Sequence, residues 1–248
     1  MSSIVKRPLG LLGIFLIIVS IGYFVGAGVA YSKTQGGYGS LQSFSEAQNV
    51  ELSYNEDGQL VDRGETEGAD AIMSLLEDDW NFPVVEGDLD PDDPLVNSAT
   101  EYMYQMATIS YHTLHGTQNL TLTEDDLTGE DGQVASEFDC AGEMVDVPQP
   151  FPEDGVTCEF AIDGRYWTDF DRSVPVEAKA RDMAWSGTAH ALVAELGVGA
   201  ATHSALQLAL GIAGLLGGLG VVTLAMGVAF IWHVRQQDEV RPARVSTD

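Results

Sequence analysis

Two stretches of sequence decide the architecture: LGLLGIFLIIVSIGYFVGAGVAY, from Leu9 to Tyr31, and ALQLALGIAGLLGGLGVVTLAMGVAFIW, from Ala205 to Trp232. Neither contains a charged residue. The hydrocarbon core of a bilayer is about 30 Å thick, and roughly 20 apolar residues in a helix cross it. The sequence therefore predicts two transmembrane helices, at 9–31 and 205–232. They flank one domain of residues 32–204, with short ends at residues 1–8 and 233–248.

Negative charge is concentrated between these stretches. Of the 38 acidic residues, 35 lie between Thr34 and His203, against five Lys and Arg, so this part of the chain has a net charge of −30. Nucleic acids and anionic lipid surfaces bind concentrated positive charge. Five scattered cations do not supply it, and we expect no nucleic-acid partner.

Positive charges beside the spans indicate their orientation. Lys6 and Arg7 precede the first span, and Arg235, Arg241 and Arg244 follow the second. Basic flanks are retained on the cytoplasmic side. The sequence predicts a multi-pass protein of the cell membrane with both termini cytoplasmic and the acidic domain extracytoplasmic.

A cleaved signal peptide is the alternative interpretation of the first stretch. Gly28, Val29 and Ala30 are small residues that suit a cleavage site after a basic start. The apolar run of 23 residues exceeds the roughly 7–15 of a signal-peptide core. This length favours a retained span, and the domain is exported under either interpretation.

Both cysteines of the chain, Cys140 and Cys158, fall in the exported part. An oxidising compartment lets two thiols pair. A disulfide between them is predicted, with two free thiols as the alternative.

The domain is predicted to be α+β, with two long helices and a small antiparallel sheet. Ser98 and Glu101 form a capping-box pair that starts one helix, and Gly116 ends it. The other is expected over Val176–Leu196, where apolar residues recur along one side. Only Gly197–Thr202 separates it from the second span, so we expect a glycine kink or a sharp bend there.

The remaining elements follow from shorter patterns. Gly36–Gly64 is typical of a Gly- and Ser-rich stalk leading into a strand or two, and Gly68–Trp80 of a short amphipathic helix. Asp163-Gly164 is a hairpin signal that leads to Arg165-Tyr166-Trp167. Strand candidates share period-two alternation: Thr117–Leu127, Ser136–Cys140, Met144–Val147 and Gly155–Ile162.

Two groups of residues are candidate metal ligands. His112 and His115 lie three residues apart near a helix end, where two imidazoles can share one ion if a carboxylate joins them. The alternative is that His is favoured there by the negative end of the helix dipole. The acidic run of Asp88, Asp90, Asp92 and Asp93 offers oxygen ligands for calcium, although it lacks the spacing of an EF-hand loop. A solvated acidic loop is the alternative.

Small residues form a stripe along each span. They lie four apart or beside such a pair, a spacing that lets helices approach closely: Gly22, Gly26 and Ala30 in the first span, and Ala209, Ala213, Gly214, Gly217 and Gly218 in the second. The alternative is that glycine is simply frequent in membrane helices. The stripes indicate helix packing, and a protein partner docked through the spans.

Three segments resemble a family of two-span membrane proteins from actinobacteria: Asn97–Gly116, Asp163-Gly164-Arg165-Tyr166-Trp167 and Ala184-Trp185-Ser186-Gly187-Thr188-Ala189-His190. The resemblance covers most of the chain and implies a location rather than an activity. Some similar proteins carry a ring-opening dioxygenase label, which requires an iron site of two His and one carboxylate. Eight Arg against three Lys suits a high-GC genome of that kind.

Three functions remain open. The leading hypothesis is a non-catalytic accessory or scaffold protein whose spans dock on a larger membrane or envelope complex, because the sequence contains no phosphate-binding loop, serine elbow or Cys–His nucleophile motif. An extracytoplasmic module that binds a divalent cation is the alternative, and a metal-dependent enzyme is the third. No other cofactor is expected.

Overall fold

The computed structural model describes residues 3–129 and 131–239, with side chains from residue 8 to residue 236 apart from Glu130. The fold is α+β, as predicted. The helices are α1 (Ser3–Gln48), α2 (Thr66–Ser74), α3 (Ala99–Leu114), α4 (Pro175–Ala184) and α5 (Gly187–Glu239). The strands are β1 (Thr117–Leu122), β2 (Glu137–Cys140), β3 (Glu143–Asp146) and β4 (Val156–Ala161). One π-helical turn, Leu75–Asp79, prolongs α2.

Contacts divide the chain into two units. One consists of the chain up to Phe44 together with the chain from Thr202 onward, and the other is Ser45–Ala201. Two helices are long and apolar enough to cross a membrane, over Pro8–Gln48 and Gly187–Gln236. Only 11% of the most apolar window of each is buried. A core helix of a soluble protein is mostly buried, so these helices expose apolar surface that water does not favour.

In the first unit the two long helices touch at glycines. A Cβ on Gly13 would lie 2.9 Å from the carbonyl oxygen of Gly227, and one on Gly220 would lie 3.0 Å from the ring of Phe24. The hydroxyl of Ser20, which is fully buried, donates to the carbonyl oxygen of Ile17 at 2.7 Å. Its polar group is thus satisfied within its own helix, as an apolar environment requires.

The core of the second unit forms around the β1–β4 ribbon. These strands are antiparallel, with Thr117 opposite Ala161 and Leu122 opposite Val156. Their inward residues are buried, as are apolar residues of α2 and its π-helical turn: Leu120, Leu122, Phe160, Ile72 and Leu76. β2 and β3 form a separate antiparallel pair. Alternation therefore predicted the strands correctly, although β1 ends at Leu122 and a 3₁₀ turn follows at Asp125–Leu127.

Tyr102 of α3 joins parts of the second unit that are distant in sequence. Its hydroxyl lies 2.7 Å from the Ser45 hydroxyl. A Cβ on Gly199 would come within 2.6 Å of its ring. The side-chain amide of Gln48 donates to the Glu195 carboxylate at 2.7 Å. Ser45, Gln48, Glu195 and Gly199 therefore belong to the packing of this unit.

Two predicted elements differ in the structure. The stalk expected from Gly36 is helical as far as Gln48. The single helix expected over Val176–Leu196 is two, because α4 ends at Ala184 and the buried indole of Trp185 donates to the carbonyl oxygen of Arg165 at 3.1 Å. α5 then runs through Gly197–Thr202 as one continuous helix, so the chain continues helically into the second span, which was one of the two expected alternatives.

The predicted hairpin is a turn without a second strand. Asp163 and Gly164 have φ values of 50° and 74°, and the amide of Arg165 donates to the carbonyl oxygen of Ile162 at 3.1 Å. Positive φ at both central residues is the geometry of a type I′ turn. A 3₁₀ turn over Trp167–Asp169 follows, so the chain leaves the sheet at this point.

Candidate functional site

The two histidines of the predicted metal site form hydrogen bonds with different partners. His112 Nε2 lies 2.9 Å from Asp62 Oδ1, whereas His115 Nδ1 lies 2.9 Å from the backbone carbonyl oxygen of Tyr111. His115 is the C-cap of α3, and its ring lies 4.2 Å from the ring of Tyr111. The carboxylate that meets His112 comes from a distant loop, which no sequence pattern indicated.

The predicted acidic loop is organised by its own backbone. Asp88 ends a 3₁₀ turn that begins at Glu86. The amide of Asp92 donates to Asp90 Oδ1 at 2.9 Å, and the amide of Asp93 donates to the carbonyl oxygen of Asp90 at 3.1 Å. Among the described residues, no group of three or more His, Cys, Asp or Glu side chains is placed to hold a metal ion.

The predicted disulfide is present between Cys140 and Cys158. Cys140 ends β2 and Cys158 lies within β4. The bond therefore ties the β2–β3 pair to the β1–β4 ribbon.

The predicted glycine stripes fall into two groups. Gly26 and Gly217 lie between the two long helices, since their Cβ atoms would be 3.5 Å from Leu216 and 4.0 Å from Ala27. Ala213 is buried, and Ala30 and Ala209 are half-buried. The remaining three glycines face open space, because a Cβ added to any of them would have no atom within 4 Å: Gly22, Gly214 and Gly218. The two backbones approach each other closely at Gly13 and Gly227, outside the predicted stripes.

A cavity of about 390 Å³ lies beside Arg165. Its polar wall comprises Asp139, Asp163, Arg165 and Glu177. The ionisable groups among the described residues that line it are three carboxylates and one guanidinium, with no Ser, Thr, Cys, Lys or His.

Arg165 is fixed by contacts from both sides. Its guanidinium carbon lies 4.8 Å from the ring centroids of both Phe160 and Phe170. Nε donates to the carbonyl oxygen of Ile162 at 3.3 Å, and Nη1 donates to Glu177 Oε1 at 3.4 Å. Cation–π and ionic contacts together hold the end of β4 against α4. The cavity is therefore an acidic depression around a cation that is already paired.

Residues from Asp163–Trp167 and from Ala184–His190 meet in one aromatic cluster. Tyr166 stacks on Trp185, with centroids 5.8 Å apart, and Trp167 meets the edge of His190 at 4.7 Å. The guanidinium of Arg181 covers Trp167 at 4.1 Å. These residues pack the exit of the sheet against the start of α5.

Three carboxylates have shifted pKa values, and that of Asp171 is lowered by hydrogen bonds from Ser173. Burial raises the pKa of Glu101, although hydrogen bonds from the backbone amides of Asn97 and Ser98 oppose the shift. Burial would also raise the pKa of Asp126, but hydrogen bonds from Lys179 and Thr123 outweigh it, and the pKa is lowered. Glu101 completes the predicted capping box of α3. Its carboxylate thus has a structural role.

Comparisons with protein families, curated proteins and solved structures find no match to this chain.

Proposed function

We propose that the chain is a non-catalytic, membrane-anchored accessory or scaffold protein of a larger membrane or envelope complex. In this proposal α1 and α5 cross the membrane, both termini are cytoplasmic, and the acidic unit meets a partner outside. The basic flanks support this orientation. The exposed apolar surface of both helices supports the membrane setting.

The observation that carries the proposal is the set of glycines that internal packing does not require. Glycine in a helix is less favourable than alanine by roughly 0.5–1 kcal/mol. The contact between the long helices explains Gly13 and Gly227, where a side chain has no room. It does not explain Gly22, Gly214 and Gly218, which face open space. A closely packed helix of a partner would account for them.

The test is co-purification of native membrane partners with the full-length protein in mild detergent. Gly22→Leu and Gly214→Leu should each reduce the recovered partner, because leucine keeps a second helix away. Both variants should retain the thermal midpoint of the isolated chain, since the space beside these glycines is open.

Gly28→Leu is the matched control. Gly28 also faces open space, but it lies six residues from Gly22, and at about 100° per residue it points to a different side of α1. This variant should keep both the partner and the stability. Equal loss of partner in Gly28→Leu and Gly22→Leu, or full retention in every variant, contradicts the proposal.

A further inference from the structure

The cavity beside Arg165 is large enough for a ligand. Its lining comes from the turn between β2 and β3, from the end of β4 and from the start of α4. All of these lie within Ser45–Ala201. Its volume of about 390 Å³ falls in the range of roughly 300–1,000 Å³ that is usual for ligand pockets. The cavity therefore accommodates a polyatomic group.

The disulfide holds two walls of this cavity together. Cys140 lies between Asp139 and Ala141, which both line the cavity, and its partner Cys158 lies in β4. Phe160, also in β4, lines the cavity and is only 1% exposed. The covalent bond therefore fixes the turn after β2 against β4. Walls that are fixed in advance lower the entropic cost of binding.

Two of the carboxylates in the lining are available to a ligand. Asp139 Oδ1 accepts from the backbone amide of Gly142 at 2.6 Å, and its second oxygen can accept from a ligand. Asp163 lies in the type I′ turn, with its side chain exposed. Glu177, by contrast, is engaged through both oxygens, which accept from Arg165 Nη1 and from the amide of Asp171 at 3.4 and 2.6 Å.

The charge of the lining favours a cation. Three carboxylates and one guanidinium line the cavity, so their net charge is −2. The guanidinium is already occupied: Arg165 donates through Nε, Nη1 and Nη2 to groups of its own chain, at 3.3, 3.4 and 3.5 Å. A negative potential in a cleft attracts positive ligands and repels anions.

The spacing of the carboxylates favours an organic cation over a metal ion. Within residues 3–129 and 131–239, no three His, Cys, Asp or Glu side chains are placed to share one metal ion, so the carboxylates of this cavity are too widely spread for that. A guanidinium is planar, carries five N–H donors and pairs with carboxylates more readily than the strongly hydrated ammonium of lysine does. The apolar part of the lining, which includes Phe160, Ala161 and Val174, suits the methylene stem of such a side chain.

We infer that this cavity binds an arginine side chain of the partner protein, with the guanidinium between Asp139 and Asp163 and the stem against Phe160 and Val174. The inference rests on the proposed function, in which the acidic unit meets a partner outside. Asp139, Asp163 and Val174 are exposed, so an approaching protein can reach them.

The test is isothermal titration calorimetry of the full-length protein in detergent at low ionic strength. The probes are acetyl-Gly-Arg-Gly-amide and the same peptide with citrulline, which has the shape of arginine without its charge. A solvent-exposed ion pair contributes up to about 1 kcal/mol, or up to about fivefold in affinity. With about threefold for each of two carboxylates, the arginine peptide should bind the wild type about tenfold more tightly than the citrulline peptide.

Asp139→Asn and Asp163→Asn should each weaken binding of the arginine peptide by about threefold, and together they should remove its advantage over the citrulline peptide. Both changes keep the local structure. Asparagine at position 139 still offers an oxygen to the Gly142 amide, and asparagine tolerates the positive φ of Asp163.

Asp146→Asn is the matched control. Asp146 is an exposed carboxylate of β3 that does not line the cavity, and its loss changes the net charge by the same amount. This variant should bind the arginine peptide as the wild type does. Equal weakening in Asp146→Asn and Asp163→Asn would show only general attraction to an acidic surface, and would overturn the inference.

Two other outcomes also overturn it. The first is equal affinity of the wild type for the two peptides, which needs no variant to fold. The second is tighter binding of putrescine than of the arginine peptide, with the same dependence on Asp139 and Asp163, because it would assign the cavity to a free polyamine. If the glycine variants retain every partner while the wild type still distinguishes the two peptides, the scaffold proposal fails and the cavity remains a site for arginine.

Discussion

Removal of the Cys140–Cys158 disulfide should destabilise the acidic unit by an amount that its loop length sets. The cysteines are 18 residues apart. In the chain-entropy model the bond removes 2.1 + 1.5R ln n cal/mol/K from the unfolded chain, which for this loop is about 3.2 kcal/mol at 25 °C. With a urea m-value of about 2 kcal/mol/M, the unfolding midpoint should fall by about 1.6 M.

The measurement is urea unfolding of the full-length protein, followed by tryptophan fluorescence. The variant is Cys140→Ser combined with Cys158→Ser, so that no free thiol remains. Reductant should lower the wild-type midpoint to that of the variant, and should not change the variant. Coincident midpoints for the oxidised wild type and the variant would refute the argument that this bond constrains the unfolded chain.

Three further predictions concern other parts of the chain. Burial raises the folded-state pKa of Glu101, so its contribution to stability is present below the unfolded pKa and is lost as the pH rises through the folded one. Glu101→Gln should therefore become more stable relative to the wild type as the pH rises through the folded-state pKa, as measured by thermal melts. A difference in thermal midpoint that is the same at every pH would contradict this. The pKa of Asp126 is lowered, and the wild type should be more stable than Lys179→Met by at most about 1 kcal/mol, because the ion pair is partly exposed. This difference in the free energy of unfolding should disappear in urea titrations as the pH falls through the folded-state pKa of Asp126. A difference that persists would argue against the ion pair. A cysteine at Gly132 should react with a membrane-impermeant reagent in intact spheroplasts, whereas one at Ser246, which lies outside the described residues, should not; labelling only at Ser246 would reverse the proposed topology.

Local patterns predicted the elements whose causes are local. The capping box of α3 requires only Ser98 and Glu101, three residues apart, and it is present. Alternation predicted β1, β2 and β4 because alternate residues of each strand are buried. The disulfide followed from the presence of only two cysteines.

Elements that depend on distant contacts were mispredicted or missed. Gly37 lies in a segment whose composition is typical of a flexible stalk. Yet α1 continues through this segment, and a side chain at Gly37 would collide with Leu206. Gly37 therefore allows α1 to pack closely against α5, and α1 extends further than the amino-acid composition predicts. The break after Ala184 depends on a bond from Trp185 to a carbonyl 20 residues earlier. No local rule includes such a bond.

For the candidate site too, the sequence predicted local features and missed those that depend on distant contacts. The sequence placed His112 and His115 on one helix, but their partners come from backbone and from a remote loop. Arg165 becomes notable only when Phe160, Phe170 and Glu177 surround it. Asp139 and Asp163 are ordinary acidic residues in the sequence. Their place on one cavity is visible only once the surrounding chain is folded.

The contacts of Tyr102 determine where the acidic unit can be cut from the chain. A secreted fragment that begins after Gln48 and ends before Gly197 would contain every strand named above and α2 to α4. It would nevertheless leave the Tyr102 hydroxyl without Ser45 and expose the ring face that Gly199 covers. A soluble fragment for crystallisation or immunisation should therefore run from residue 45 to residue 201, and so retain a short piece of each long helix as part of its own surface.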